Sequence, residues 1–279
     1  MSSQYLQNKV SEYENYIARK GIDESVIDAM ADAAKWAIYK ENEIEYGLKV
    51  SERAKELIEN FVLTNSGGTL DALEVYAAEN DTEYKIVNDY YAILQCESPY
   101  LVDSFFRYIE ADEKDPYKRF YFPRRKVLKP VVSAYQEIYD GKLDFLSVSQ
   151  PKRTGKTTGG LKLAQMMGGR DPDGSIFAVG KGEGLVKRFY GGLLQSFENE
   201  STYQRFLSVF PEAKKIGEKD YKSAENLSID LKRKNIFPTY TCRPIDGAIV
   251  GCTEANVLVY IDDCVKNHEE ARNRDRLEF

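Results

Sequence analysis

An α/β fold with a mainly parallel sheet, preceded by an α-helical N-terminal region, is predicted by three features of the sequence. Apolar residues recur at helical spacing over roughly the first 110 positions. Beyond them, short apolar runs alternate with helical segments, the pattern of strands joined by helical crossovers. The most apolar run of that second half, Val257-Leu258-Val259-Tyr260-Ile261, reads as a central strand.

In the first region the periodic positions are Val26, Ile27, Met30, Ala34 and Ala37, then Ala54, Leu57, Ile58 and Phe61, then Leu70, Leu73 and Ala77. Breaks fall at Gly21-Ile22-Asp23, with Asp23 as an N-cap, and at Thr64-Asn65-Ser66-Gly67-Gly68, after which Thr69 or Asp71 starts the next helix. Nothing there forms a catalytic cluster, so residues 1–112 read as an interaction or regulatory appendage. The charged, proline-ended stretch Asp112-Glu113-Lys114-Asp115-Pro116 reads as a linker into a second domain, residues 113–279. In that domain Phe145 to Ser149 is expected as a buried strand, Thr157 to Met167 as a helix, Ser175 to Val179 as a strand and Glu183 to Phe197 as a helix. Leu227 to Leu231 and Thr239 to Arg243 flank the polar turn Lys232-Arg233-Lys234-Asn235 and read as a hairpin.

Bulk properties exclude several classes. At 279 residues, with 42% hydrophobic and 30% charged side chains, the chain has the composition of a folded domain rather than a disordered one. A net charge of −6 argues against coating nucleic acid by bulk electrostatics. A local basic cluster, Lys118, Arg119, Arg124, Arg125, Lys126 and Lys129, reads first as a solvated face. Cys96, Cys242, Cys252 and Cys264 show no Cys-x-x-Cys pair, and His268 is the one histidine, so no structural zinc is expected and a reducing, cytoplasmic setting fits. The start, Met1-Ser2-Ser3-Gln4-Tyr5, lacks a signal-peptide pattern, and no apolar run approaches the ~20 residues of a membrane span.

Chemistry enters at Gln150-Pro151-Lys152-Arg153-Thr154-Gly155-Lys156-Thr157. The phosphate-binding signature Gly-x-x-x-x-Gly-Lys-Ser/Thr places a loop between strand and helix, so that backbone N–H groups and a helix N-terminus face an anion. Gln150 stands where that signature has its first glycine. Gly155 lets the backbone approach the phosphates of ATP, Lys156 reaches the β and γ oxygens, and the Thr157 hydroxyl completes the shell of a Mg²⁺ ion. Arg153 is either a solvent-facing residue or a contact to the γ-phosphate that stabilises transition-state charge. Thr158 falls in the first helical turn and reads as a cap within the same binding segment.

The second half of such a site is an acid at the end of a neighbouring strand. The run ending at Ile261 leads directly into Asp262-Asp263. Asp262 is expected to hold Mg²⁺ through water and Asp263 to activate the attacking water; the plainer alternative is a cap for a following helix. Together the loop and the acidic strand predict a P-loop (ASCE/RecA-like) three-layer αβα core.

Three stretches carry a further likeness: Gln150 to Thr158, Thr241-Cys242-Arg243-Pro244-Ile245-Asp246-Gly247-Ala248-Ile249-Val250-Gly251, and Asn256 to Asp263. Through them the chain resembles the N-terminal ATPase domain of the large terminase subunit of tailed double-stranded DNA bacteriophages, over roughly residues 115–265. The resemblance implies an ATP- and Mg²⁺-dependent motor that drives double-stranded DNA into a procapsid in the infected bacterial cytoplasm, as a homo-oligomeric ring with the small terminase subunit and the portal as partners. It implies that Arg153 matches the arginine many terminases carry in the phosphate loop. Phe122-Pro123-Arg124-Arg125 and Tyr135-Gln136 fall where an adenine-contacting segment lies, and Arg188 and Arg243 are candidates for an arginine acting across the ring. Asp263 departs from the glutamate that many such ATPases carry. The coupling motif and C-terminal nuclease domain of packaging terminases do not occur before Phe279, so the reading expects a fragment without nuclease activity. A helicase-like translocase and a non-enzymatic protein with a relic loop are the competing expectations.

Overall fold

The computed structural model describes residues 3–39, 43–66, 70–79, 85–245, 247 and 254–263. It divides into two compact units, Met1–Pro130 and Val131–Phe279.

The first unit is helical: α1 (Ser3–Lys20), α2 (Glu24–Tyr39), α3 (Ile44–Ser66), α4 (Leu70–Glu79), α5 (Lys85–Glu97) and α6 (Val102–Tyr108). Asp23 caps α2 as the sequence predicts, its Oδ1 accepting from the Val26 N–H at 3.0 Å. Gly67, Gly68 and Thr69 lie outside the described residues. Helix α2 buries Val26, Ile27, Met30, Ala34 and Ala37, α3 buries Ala54, Leu57 and Ile58, and α4 buries Ala77, so these periodic residues form the core, whereas Phe61 and Leu73 are half-buried. A Cβ at Gly47 would stand 2.6 Å from the Ile38 nitrogen, so glycine sets how closely α2 and α3 pack.

Buried charges in this unit are internally matched. Glu97 is fully buried and accepts from the Ser51 hydroxyl at 2.5 Å, the Ser104 hydroxyl at 2.6 Å and the Lys55 ammonium at 2.8 Å. Arg119 donates to Glu74 of α4 and to the Tyr91 hydroxyl, while Arg107 Nη2 lies 3.6 Å from the same Glu74. Short 3₁₀ turns at Pro116–Lys118 and Phe122–Arg124 lead into α7 (Arg125–Tyr139). The Arg125 guanidinium grips Asp103 through two bonds of 3.0 and 2.8 Å. The basic cluster is therefore not a uniform solvated face: Arg119 and Arg125 are struts, and Lys126 and Lys129 are exposed.

The second unit contains the end of α7, α8 (Lys156–Arg170), β1 (Ile176–Gly180), α9 (Glu183–Glu198), α10 (Glu200–Val209), β2 (Lys222–Ser223), β3 (Ser228–Ile229), β4 (Tyr240–Pro244) and β5 (Leu258–Asp262). The strands form one mixed sheet in the order β2-β3-β4-β1-β5. Strand β1 pairs in parallel with β4 and β5, whereas β2, β3 and β4 are antiparallel, so the sheet is only partly parallel. The expected hairpin is present as the β3–β4 pairing, Ser228 opposite Thr241 and Ile229 opposite Tyr240.

Two expectations are corrected. Phe145 to Ser149 does not form a strand: its residues alternate between exposed and half-buried, as in an extended chain, yet among the described residues no strand pairs with it, and Phe145 is 79% exposed. Strand β5 is not central but ends the sheet, and Val259 and Ile261 are 51% and 55% exposed. Apolarity along a run marks burial of its side chains, whereas its place in a sheet depends on which distant segment offers a hydrogen-bonded neighbour. The register puts Tyr240, Cys242, Ile176, Ala178 and Tyr260 on one face. Helix α8 packs on this face through Gly168 against Tyr240, and α9 through Phe189 stacked on Tyr260 with ring centroids 4.8 Å apart.

One contact in the helical unit makes its stability pH-dependent. Lys85 of α5 donates to Asp28 of α2, and Asp89, one turn further on, also faces Asp28. Burial, followed by the hydrogen bond and charge of Asp28, pushes Asp89 up to about 6. A carboxyl raised on folding favours the native state while protonated, and that stability is lost as pH rises from the ordinary aspartate value through about 6. Asp89→Asn is accordingly expected to raise the melting midpoint by roughly 2–4 °C at pH 7.5 and by little at pH 4.5, read by circular dichroism.

Candidate functional site

The loop ahead of α8 has an unusual backbone. Arg153 has φ +67° and Gly155, the N-cap of α8, φ +102°. Left-handed residues are tolerated freely by glycine and rarely by arginine, and in such turns successive N–H groups point into one concavity that suits an anion. The Thr154 hydroxyl donates to the Pro151 carbonyl at 2.8 Å and pins the turn, and the Gly159 N–H closes the first helical bond on Gly155 at 2.8 Å. The partial positive end of a four-turn helix thus faces the loop.

Strand β5 brings the acids to the same place. Register pairs Gly180 with Asp262, which puts Asp262 at the carboxyl end of the parallel strands. Asp262 is 5% exposed. The Thr157 hydroxyl donates to its Oδ2 at 2.6 Å, and the Lys156 ammonium lies 3.1 Å from its Oδ1 and 2.5 Å from Asp263 Oδ1. Burial works to lower the Lys156 pKa, but the Asp263 and Asp262 carboxylates outweigh it and hold the ammonium above the ordinary lysine value. Although Lys156 is within ion-pairing distance of Asp262 Oδ1, that oxygen is buried without a partner in hydrogen-bonding geometry. A buried carboxylate oxygen met by an ion pair rather than by a well-formed hydrogen bond, beside a threonine hydroxyl, is a hard-oxygen pair that fits a small divalent cation such as Mg²⁺. Among the described residues no group of three or more His, Cys, Asp or Glu could hold a metal by itself, so the remaining ligands would be water or phosphate.

Two tyrosines line this turn: Tyr135, expected from the sequence only as part of an adenine-contacting segment, and Tyr260, which the sequence reading took as a strand residue alone. Tyr135 of α7 is 5% exposed and lies against Gly159, where an added Cβ would be 3.3 Å from its ring. Burial, reinforced by Asp262 and opposed by Lys156, raises Tyr135 to about 12. Tyr260 lies across Gly160, where a Cβ would be 2.2 Å from the ring, and its hydroxyl meets Thr157. Paired glycines one turn into a helix are unfavourable by about 1 kcal/mol each, and their presence at 159 and 160 was the available signal that bulky groups approach that turn.

The remaining candidates are dispersed. Pro151, Lys152, Arg153 and Thr158 are exposed, Thr154 and Gly155 are half-buried, and the Gln150 Oε1 is buried without a hydrogen-bond partner. In the adenine-segment candidates, Arg125 is committed to Asp103, Tyr135 is buried, and Gln136 donates to Asp140 at 2.8 Å. Arg188 donates to the Gly184 carbonyl at 3.1 Å, and Arg243 donates to Asn226 at 2.7 Å from the sheet face opposite to that of Asp262. Cys96 and Cys242 are free thiols, and burial raises Cys242 to about 12 despite Arg243. Asp246, residues 248–253, Cys264 and His268 lie outside the described residues.

Gly160→Ala must displace Tyr260, which is held by its stacking on Phe189, and is expected to destabilise the protein by about 1–3 kcal/mol. At Gly191, within α9, an added Cβ meets nothing within 4 Å, and Gly191→Ala should instead stabilise by up to about 1 kcal/mol. Urea titrations of the two variants check both signs. Compared with protein-family models, curated proteins and solved structures, the chain matches none.

Proposed function

We propose that this chain is a P-loop ATPase, the motor domain of a viral DNA-packaging terminase that binds ATP with Mg²⁺ and hydrolyses it to move double-stranded DNA into a procapsid. The observation that carries the ATPase reading is the meeting of Lys156, Thr157, Asp262 and Asp263, residues more than a hundred positions apart, in front of a left-handed loop at a helix N-terminus. The terminase reading and its setting, an infected bacterial cytoplasm with a ring of subunits, small terminase and portal, rest on the resemblance of the three sequence stretches. No described helix is long and apolar enough to cross a membrane.

In this reading the backbone from Gln150 to Thr158 cradles the phosphates, and Lys156 neutralises the β and γ oxygens. Thr157 and Asp262 hold the metal, which supplies charge neutralisation on the phosphate oxygens when bound. Asp263, 57% exposed at its side chain and aimed back at Lys156, accepts a proton from water once the lysine turns to phosphate. Arg153, exposed in the loop, can reach outward to the γ-phosphate. A helicase-like or other P-loop translocase would use the same groups, and binding of DNA to the core does not separate the two.

Calorimetric titration of ATP·Mg²⁺ tests the site. Lys156→Ala is expected to weaken affinity by about 10–100-fold, the loss of hydrogen bonds to a charged group. Asp263→Ala should leave affinity within about threefold while steady-state phosphate release falls at least about 100-fold. Equal affinities for wild type and Lys156→Ala would remove Lys156 from any phosphate site.

A further inference from the structure

The Lys156 ammonium touches both carboxylates, Asp262 Oδ1 at 3.1 Å and Asp263 Oδ1 at 2.5 Å. We infer that Lys156 is a built-in competitor for the divalent cation: it holds the same carboxylate oxygens a metal would take, so a metal enters tightly only when a polyphosphate draws the lysine away. The inference uses the proposed cation-holding role of Asp262 and Thr157, but neither hydrolysis nor the identity of the nucleotide.

Three features favour competition over a permanent structural ion pair. First, the lysine satisfies Asp262 poorly. Oδ1 is buried and lacks a partner in hydrogen-bonding geometry, whereas Glu97 in the helical unit, equally buried, is fully matched by two hydroxyls and a lysine. Second, one ammonium serves two anions, which leaves a net negative charge around it. A cation of charge two is attracted about twice as strongly as an ammonium at the same distance, and carboxylate and hydroxyl oxygens are the ligands it prefers. Third, the Asp263 side chain is 57% exposed, so its contact with Lys156 is screened by water and open to displacement by a competing anion.

Lysine and metal then exclude one another, and a phosphate chain that accepts the lysine relieves the exclusion. By linkage, phosphate and metal bind with positive coupling, and neither is held well alone.

The test is binding of Mn²⁺ alone to the full 279-residue chain without nucleotide, read by electron paramagnetic resonance. Wild type is expected to bind weakly. Lys156→Met, which keeps most of the length of the side chain and removes the charge, should bind Mn²⁺ about tenfold tighter or more. The double variant Lys156→Met with Asp262→Asn should lose that gain. Lys156→Gln serves as a second neutral variant, with circular dichroism melts establishing that the proteins compared are folded. If both neutral variants bind Mn²⁺ no tighter than wild type, or if the gain persists with Asp262→Asn, the competition does not exist. A gain in Mn²⁺ affinity in a protein whose wild type fails to bind ATP·Mg²⁺ would keep this inference and overturn the nucleotide reading.

Discussion

A carboxylate withdrawn from water is the constraint around which the second unit is arranged. Asp262 is 5% exposed, and an ionised group in that position is unfavourable by several kcal/mol unless charges and donors surround it. The surroundings come from α8: its N-terminal dipole, the Thr157 hydroxyl on Oδ2 and the Lys156 ammonium near Oδ1. For that turn to come so close to β5, the residue at 160 must have no side chain, since Tyr260 fills the space, and at 159 the Tyr135 ring of α7 leaves only a tight fit for a Cβ. Loop conformation, helix glycines and strand register are thus consequences of accommodating one acid.

The two units use buried charge differently, and the difference separates structure from function. In the helical unit Glu97 receives three donors, Asp103 receives both arms of Arg125, and Glu74 is shared by Arg107 and Arg119. Breaking the contacts of Glu97 or Glu74 would leave an uncompensated buried ion, so these pairs fix helix packing. In the second unit the comparable carboxylate has one oxygen met by an ion pair without a well-formed hydrogen bond, and it faces a helix N-terminus. Native proteins seldom leave such a group unmatched without a use for it.

Local pattern made much of this legible. The segments found as α8, β1 and α9 are predicted to within a few residues, because a glycine-bearing turn, an apolar run and a 3.6-residue period each leave their own mark. The pairing of Lys156 and Thr157 with Asp262 was also foreseeable, since the spacing of loop and acidic strand reflects how such sites are built. Long-range choices were hidden. Arg119 and Arg125 look like surface cations in sequence, and their partners lie 45 and 22 positions away. Likewise, nothing within Phe145 to Ser149 announces that no strand will pair with it, and nothing within Val257 to Ile261 that β5 ends the sheet. Tyr260 reads as one more apolar strand residue until the helix glycines beneath it are considered.

The aspartate at 263 gains a physical account from the backbone. Immediately after β5 the chain must turn so that a side chain points back toward α8, and it does so with Asp263 at φ +44°. Among residues with a side chain, aspartate and asparagine enter the left-handed region most readily, because their short polar groups bond locally. A longer acid would extend past the ammonium that Asp263 meets at 2.5 Å, and would have to occupy a backbone state it adopts less easily. The choice of residue and the backbone at 263 are therefore one feature, and each makes sense of the other.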